Sequence, residues 1–205
     1  MLNAAATARF NGGGTGRGFS LIELMITVAL TALLLGLATP SFVVWVRNAQ
    51  VRTVTDSLQN GLRLAQTEAV RRQRQVVFLL TESAACTLAN TATANGRFWL
   101  IRTVPLLDGE AAQVVQCGVL SDVAAGTSIT GPAALCFSAS GRLVANATPG
   151  GGAACALDAS GMSRFDVART GADRALRVTV SLGGQTRLCD PARTLTDAQP
   201  DGCPT

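Results

Sequence analysis

The sequence contains no histidine and no lysine, so arginine supplies every basic side chain. Without histidine, the chain lacks the commonest general base, the Ser-His and Cys-His nucleophile pairs and most transition-metal sites. Its aspartates and glutamates do not form a recognisable catalytic pair. The sequence therefore predicts a protein that is not an enzyme and that carries neither a metal nor another cofactor.

The excess of positive over negative charge is also small. The formal net charge is +4, and Arg9 and Arg17 precede the first acidic residue, Glu23. Without these two arginines the remainder carries +4 − 2 = +2, which is too weak to indicate a nucleic-acid partner by itself.

Cysteine is confined to the C-terminal two-thirds of the chain, and none of the residues forms a CxxC pair, so a zinc site or a thioredoxin-like motif is not expected. The six are Cys86, Cys117, Cys136, Cys155, Cys189 and Cys203. An even number behind an export-type N-terminus indicates disulfides formed in an oxidising compartment. Buried free thiols remain an alternative, and the sequence alone does not choose among the possible pairings.

The N-terminus changes character at Gly18. Residues 1–18 are small, glycine-rich and basic, whereas residues 24–46 contain no charge and are long enough to span ~30 Å of hydrocarbon as a helix. Pro40 removes a backbone donor from this segment and is predicted to kink the helix. Between the two parts stands the run Gly18-Phe19-Ser20-Leu21-Ile22-Glu23.

Glu23 is unexpected in a plain membrane anchor, because a carboxylate deep in a spanning helix costs about 2.5–3.5 kcal/mol. The run resembles the prepilin signal of type IV pilins and type II secretion pseudopilins. This resemblance implies cleavage by a prepilin peptidase between Gly18 and Phe19, and N-methylation of Phe19. It also implies that Glu23 pairs with the N-terminal amine of a neighbouring subunit during assembly.

A secretory signal cut after Gly36-Leu37-Ala38 is the competing interpretation. Glu23 would then lie inside the apolar region of the signal, and apolar residues would continue past the cut. Both features favour the prepilin interpretation.

The chain becomes amphipathic after residue 46. Apolar residues recur at three- and four-residue steps, so residues 47–74 are predicted to continue the helix as a stem, giving one helix over residues 19–74. Its end carries Arg71, Arg72 and Arg74, which either contact an anionic partner or form a solvated helix end. Residues 62–78 resemble the helix-to-strand region of the GspH/FimT branch of the pilin superfamily.

The pattern is strand-like from residue 75 to the end. Strands are predicted at residues 75–80, 97–103, 113–120, 134–137, 142–144, 162–168, 175–182 and 186–189. The fold class is therefore α+β: a long N-terminal helix packed on an antiparallel sheet domain over residues 75–205. The run from Phe137 to Arg142 resembles the Phe-x-x-x-Gly-Arg hairpin of GspH/FimT domains.

The last hairpin permits a prediction of register. A three-residue turn over residues 183–185 would pair Val180 with Leu188 and Ser181 with Arg187, which keeps the apolar side chains on one face. Arg187 would then point outward.

The C-terminal tail resembles that of FimT-type minor pilins, in which a cysteine-bounded loop closes the chain. The predicted disulfide is Cys189–Cys203. Some FimT-type members bind DNA through Gly-Arg-x-Arg just before this loop, but here Gln185 takes the place of the first arginine. Arg187, with Arg193 and Arg177, remains a possible DNA or anion contact.

The resemblance implies a minor pilin or pseudopilin of a type IV pilus or type II secretion system that helps to initiate or cap a fibre. It would be a single-pass inner-membrane protein with its disulfide-bonded domain in the periplasm. Its partners would be the prepilin peptidase, membrane lipid and other pilins through the N-terminal helix. A DNA-binding subunit for DNA uptake and an unrelated anchored or secreted β-domain are the alternatives.

Overall fold

The computed structural model describes residues 18–107, 109–120 and 126–204, without the side chains of Ala38 and Pro40. The predicted leader lies outside these residues except for Gly18. The chain divides into two compact units, Met1–Pro40 and Ser41–Thr205. The α-helix α1 (Leu21–Arg72) begins in the first unit and ends in the second.

The described residues of the first unit are mostly helical, and their large apolar side chains are exposed. Phe19 is 81% exposed and Leu37 is 72% exposed, and the large apolar residues between them are also exposed. The hydroxyls of Thr27, Thr31 and Thr39 donate hydrogen bonds to carbonyl oxygens three or four residues earlier in the helix. The polar groups of these threonines are therefore satisfied within the helix.

No single uninterrupted helical segment of the described part is long and apolar enough to cross a membrane. The segments Leu21–Leu37 and Ser41–Arg72 pass that test of length and composition only when they are taken together.

The helix ends because Gln73 adopts a left-handed conformation, with φ 53°. The N–H of Gln73 donates to the carbonyl of Val70, and the N–H of Arg74 donates to that of Ala69, both at 3.2 Å. These two bonds form a Schellman motif, which satisfies carbonyls that the last turn would leave free. The observed helix, Leu21–Arg72, thus ends two residues before the predicted limit.

Ten strands follow in the described residues. They are β1 (Val76–Thr81), β2 (Phe98–Thr103), β3 (Val114–Val119), β4 (Thr127–Thr130), β5 (Ala134–Phe137), β6 (Leu143–Val144), β7 (Met162–Arg169), β8 (Leu176–Ser181), β9 (Thr186–Thr194) and β10 (Gly202–Cys203). One sheet has the order β3-β2-β1-β5-β6 and the other the order β10-β9-β8-β7-β4. All pairings are antiparallel except β10 with β9, which is parallel.

One main core joins the helix to both sheets. The buried face of α1 comprises Val51, Val54, Leu58, Leu62, Ala65 and Ala69, the positions that the sequence pattern singled out. These residues share a cluster with Phe78 and Phe137 of the first sheet and Phe165 of the second. The α+β class is therefore confirmed.

The other face of the first sheet has a smaller core. Val77, Leu79 and Leu100 pack there with Cys136 and Cys155. All six residues of β1 are buried, so this strand is covered on both faces.

The predicted register of the last hairpin is wrong by two residues. Val178 pairs with Leu188, and Val180 pairs with Thr186, so the three-residue turn is Leu182-Gly183-Gly184. Such a turn ends in a left-handed residue, and Gly184, with φ 83°, takes that place more easily than Gln185 would. A shift of two residues leaves every side chain on its predicted face, so Arg187 still lies on the face away from the main core.

Candidate functional site

The first candidate site is the start of α1. Ser20 caps the helix, because its hydroxyl accepts the N–H of Glu23 at 3.2 Å and its carbonyl accepts the N–H of Leu24 at 3.1 Å. Ser-x-x-Glu is the pattern of a capping box, a signal that could have been read from the sequence.

Glu23 is the one charge on this exposed apolar surface. It lies in the first turn of α1, where the helix dipole favours a negative charge. In the described part of the chain, no arginine lies within ion-pair distance of its carboxylate. Gly18 and Phe19 precede the helix and are exposed, and a Cβ added at Gly18 would meet no atom within 4 Å. Among the described residues, the site therefore offers an accessible peptide bond and a carboxylate without an arginine partner.

The second candidate site is the outer face of the last hairpin. The structure brings Arg187 and Arg193 to the same C-terminal loop, where Arg187 Nη2 donates to the carbonyl of Pro200 at 2.7 Å. Arg193 pairs with Asp201 at 2.7 Å and lies 3.8 Å from Asp190. Both guanidinium groups are therefore held by the loop.

Arg177, the third predicted contact, is bound elsewhere on this face. Its Nε and Nη2 donate to the two carboxylate oxygens of Asp166 at 2.6 and 3.1 Å. Asp166 is its direct cross-strand neighbour on β7. The sequence analysis missed these carboxylate partners, and their charge opposes an anion site on this face.

A disulfide closes the loop. It joins Cys189 to Cys203, the pair proposed from the sequence, and both residues are almost fully buried. The other two disulfides are Cys86–Cys117 and Cys136–Cys155, and no cysteine is free.

The helix-end arginines are also paired. Glu68 accepts bonds from Arg71 and Arg72, each with a shortest distance of 2.7 Å, and these bonds lower the pKa of its carboxyl to about 2. Because the folded pKa is depressed, this stabilisation is present above the ordinary value of 4.5 and is lost as the pH falls towards 2. Arg74 pairs with Glu110 at 2.6 Å. Two carboxylates thus pair with all three arginines and offset two of the three positive charges at the helix end.

We expect the unmodified protein to bind short duplex DNA weakly or not at all. Two of the three arginines proposed to contact DNA are already paired with carboxylates. Asp166→Asn with Asp201→Asn should free Arg177 and leave Arg193 with only the more distant Asp190 at 3.8 Å, so binding should strengthen, with a log-log salt slope of about −2 to −3. Titration of the detergent-solubilised chain at two salt concentrations measures this. Asp56→Asn with Glu82→Gln is the charge-matched control, because it also removes two negative charges, from the exposed ion pairs with Arg52 and Arg97. Tight binding before any substitution would contradict the prediction.

The long helix on two small sheets, with an exposed apolar N-terminal half, defines a pilin-like protein. Residues 54–184 match the family model of the type II transport protein GspH, and residues 16–39 match the prokaryotic N-terminal methylation motif. The chain therefore belongs to the GspH family, a family of structural pilins and pseudopilins. None of the curated protein sequences matches the chain.

Solved structures of minor pilins and pseudopilins resemble the chain. The type IV minor pilin FimU of Pseudomonas aeruginosa has 16% identity and a TM-score of 0.47, with 70% of this chain and 93% of that chain covered. The minor pseudopilin EpsH of the Vibrio cholerae type 2 secretion system has 12% identity and a TM-score of 0.44, covering 71% and 99%. E. coli GspH has 12% identity and a TM-score of 0.43, covering 73% and 94%.

Proposed function

We propose that the protein is a minor pilin or pseudopilin that helps to initiate or cap a type IV pilus or a type II secretion pseudopilus. In this proposal residues 1–18 are a leader that the prepilin peptidase removes. Residues 19–46 span the inner membrane, residues 47–74 form the stem, and residues 75–205 form the periplasmic domain. The family membership supports the class of subunit.

The observation that carries the proposal is the exposed apolar surface of the N-terminal half of α1. Large apolar side chains stay open to solvent from Phe19 through Leu37, and again at Phe42, Val43 and Trp45. So long an apolar surface has to be covered by lipid or by other apolar helices. In a subunit that is first inserted in the membrane and then assembled into a fibre, lipid would cover this surface first and the helices of other subunits afterwards.

The chemistry at Glu23 supports assembly rather than simple anchoring. A carboxylate weakens insertion, but it can be retained where another charge neutralises it. The new N-terminal amine of a neighbouring mature chain would supply that positive charge. Pro40 is predicted to kink the helix within the proposed membrane-spanning segment.

The first test is processing. We expect Gly18→Val to leave the precursor uncut, because the proposed cut falls directly after this glycine and a branched side chain would then stand beside the scissile bond. The structure itself has room for a side chain there, so the fold should not be affected. Gly16→Val, in the same leader, is the matched control and should be cut normally. Intact-mass analysis of the membrane-extracted protein should find the wild type without residues 1–18 and with one added methyl group. A mature N-terminus at Thr39 would contradict the proposal.

A further inference from the structure

One exposed segment of the domain is held by a disulfide. Residues 82–89, which follow β1, are exposed, and they include Cys86. Cys86 is bonded to Cys117 of β3, the edge strand of the first sheet. The segment and β3 enclose a groove of about 360 Å³ lined by Ser83, Ala84, Asn90, Phe98, Trp99, Cys117, Gly118 and Val119.

Among the described residues, residues 83–87 form no long-range hydrogen bond or ion pair. The N–H of Ser83 donates to the hydroxyl of Thr81, and that of Ala85 donates to the hydroxyl of Ser83. The carbonyl of Ala85 and the side chain of Thr87 both bond to Asn90, within the same loop. The Cys86–Cys117 bond is therefore the clasp that holds this segment to the sheet.

The loop is anchored independently beyond the clasp. The N–H of Ala92 donates to the carbonyl of Gly151 at 2.6 Å, and that of Thr93 donates to the carbonyl of Leu80 at 2.8 Å. Arg102 Nη1 donates to the carbonyl of Leu88 at 3.3 Å. Loss of the clasp would thus release residues 83–87 and leave the rest of the domain in place.

The other two disulfides differ in burial and in backbone support. Cys136 and Cys155 are 1% and 3% exposed, and Cys155 exchanges two backbone hydrogen bonds with Asn146. Cys189 and Cys203 are 2% and 6% exposed. In the loop that they close, Asp190, Asp201 and Leu195 form backbone bonds, including one to the carbonyl of Cys203. A thiolate has to approach a sulfur directly to exchange with it, so buried disulfides resist the reaction.

We propose that Cys86–Cys117 is a redox-sensitive clasp that a dithiol reductant opens selectively, uncovering the groove at the β3 edge. A thiolate of the reductant attacks Sγ of Cys86, the bond to Cys117 breaks, and Cys117 leaves as a thiolate that takes up a proton. The second thiol of the reductant loses its proton and displaces Cys86, which is protonated in turn. Two electrons pass to the protein, and the reductant ends as a disulfide.

The test is graded reduction of the full mature chain in detergent with dithiothreitol, followed by rapid alkylation and peptide mapping. We expect Cys86 and Cys117 to be alkylated at least about tenfold faster than the other four cysteines, because access limits exchange. Hydrogen exchange at this stage should speed up within residues 83–87 and stay unchanged in β1 and β5. Simultaneous reduction of all three disulfides, or earlier reduction of Cys136–Cys155, would overturn the proposal.

A double variant distinguishes the local effect of losing the Cys86–Cys117 bond from a loss of overall stability. Cys86→Ser with Cys117→Ser should reproduce the local exchange pattern of the reduced wild type, whereas Cys189→Ser with Cys203→Ser should alter exchange in β9 and β10. If the first variant does not fold, the reduced wild type still provides the measurement. A first variant that folds with unchanged exchange in residues 83–87 would also overturn the proposal. None of these outcomes depends on fibre assembly.

Discussion

Glu23→Ala is expected to abolish entry of the protein into the fibre while leaving membrane insertion intact. The substitution removes the one charge from the exposed apolar face of α1, which removes an insertion cost of at most about 2.5–3.5 kcal/mol, the value for a charge at the centre of a spanning helix. It also removes the partner that we propose for the N-terminal amine of a neighbouring subunit. That amine would then enter the helix bundle without a neutralising charge, a cost comparable to that of burying an unpaired ion.

Two measurements on the same strain separate assembly from insertion. The membrane fraction should contain the processed variant at the wild-type level or above, whereas sheared fibres should contain none. Glu23→Asp keeps the charge and should recover part of the incorporation. Thr27→Val removes a polar group that only bonds the carbonyl of Leu24, so it should assemble normally. Equal amounts of Glu23→Ala and wild-type protein in sheared fibres would rule out the pairing role.

The helix could be predicted because its signals are local. The spacing of Val51, Val54 and Leu58 identified the buried face, and that face lies in the main core. The end of the helix was harder to place, because the left-handed residue is Gln73 rather than glycine. The bonds to Ala69 and Val70 stabilise this conformation, but glutamine is not a signal for it.

The two strands that the sequence analysis missed depend on tertiary contacts. The residues of β4 are short and polar apart from Ile129, and the strand forms only as an edge beside β7. The two residues of β10 are held beside β9 by the Cys189–Cys203 disulfide and by the bond between Asp190 and Asp201. Neither strand has the apolar alternation that predicts a strand from sequence alone.

The arginine partners could not be predicted for a similar reason. Asp166 and Arg177 meet because β7 and β8 pair in one register. Asp201 reaches Arg193 because the terminal loop folds back along β9. Composition indicated a small positive excess, but only the fold shows that these carboxylates neutralise the proposed contacts.

Gly184 is the glycine at which we expect the addition of a methyl group to lower the stability of the domain most. It is buried, has φ 83° and closes the turn between β8 and β9. A Cβ there would overlap the carbonyl oxygen of Gly141 and Nε2 of Gln66. Gln66 donates from this nitrogen to Gly141 at 3.0 Å, which ties α1 to the turn before β6. The hairpin of the second sheet and a turn of the first sheet therefore meet the helix at one point.

Gly184→Ala should lower the free energy of unfolding by about 3 kcal/mol, since a left-handed alanine costs ~1–2 kcal/mol and overpacking a further ~1–3 kcal/mol. For a chain of this size, the melting temperature should fall by about 6–12 °C. Thermal unfolding of the detergent-solubilised protein, followed by circular dichroism, measures the change. Gly183→Ala is the matched control, because its Cβ would meet only Ser181 Oγ at 3.7 Å and Gly183 is exposed. If the two variants melt at the same temperature, the contact among Gln66, Gly141 and Gly184 does not hold the sheets and the helix together.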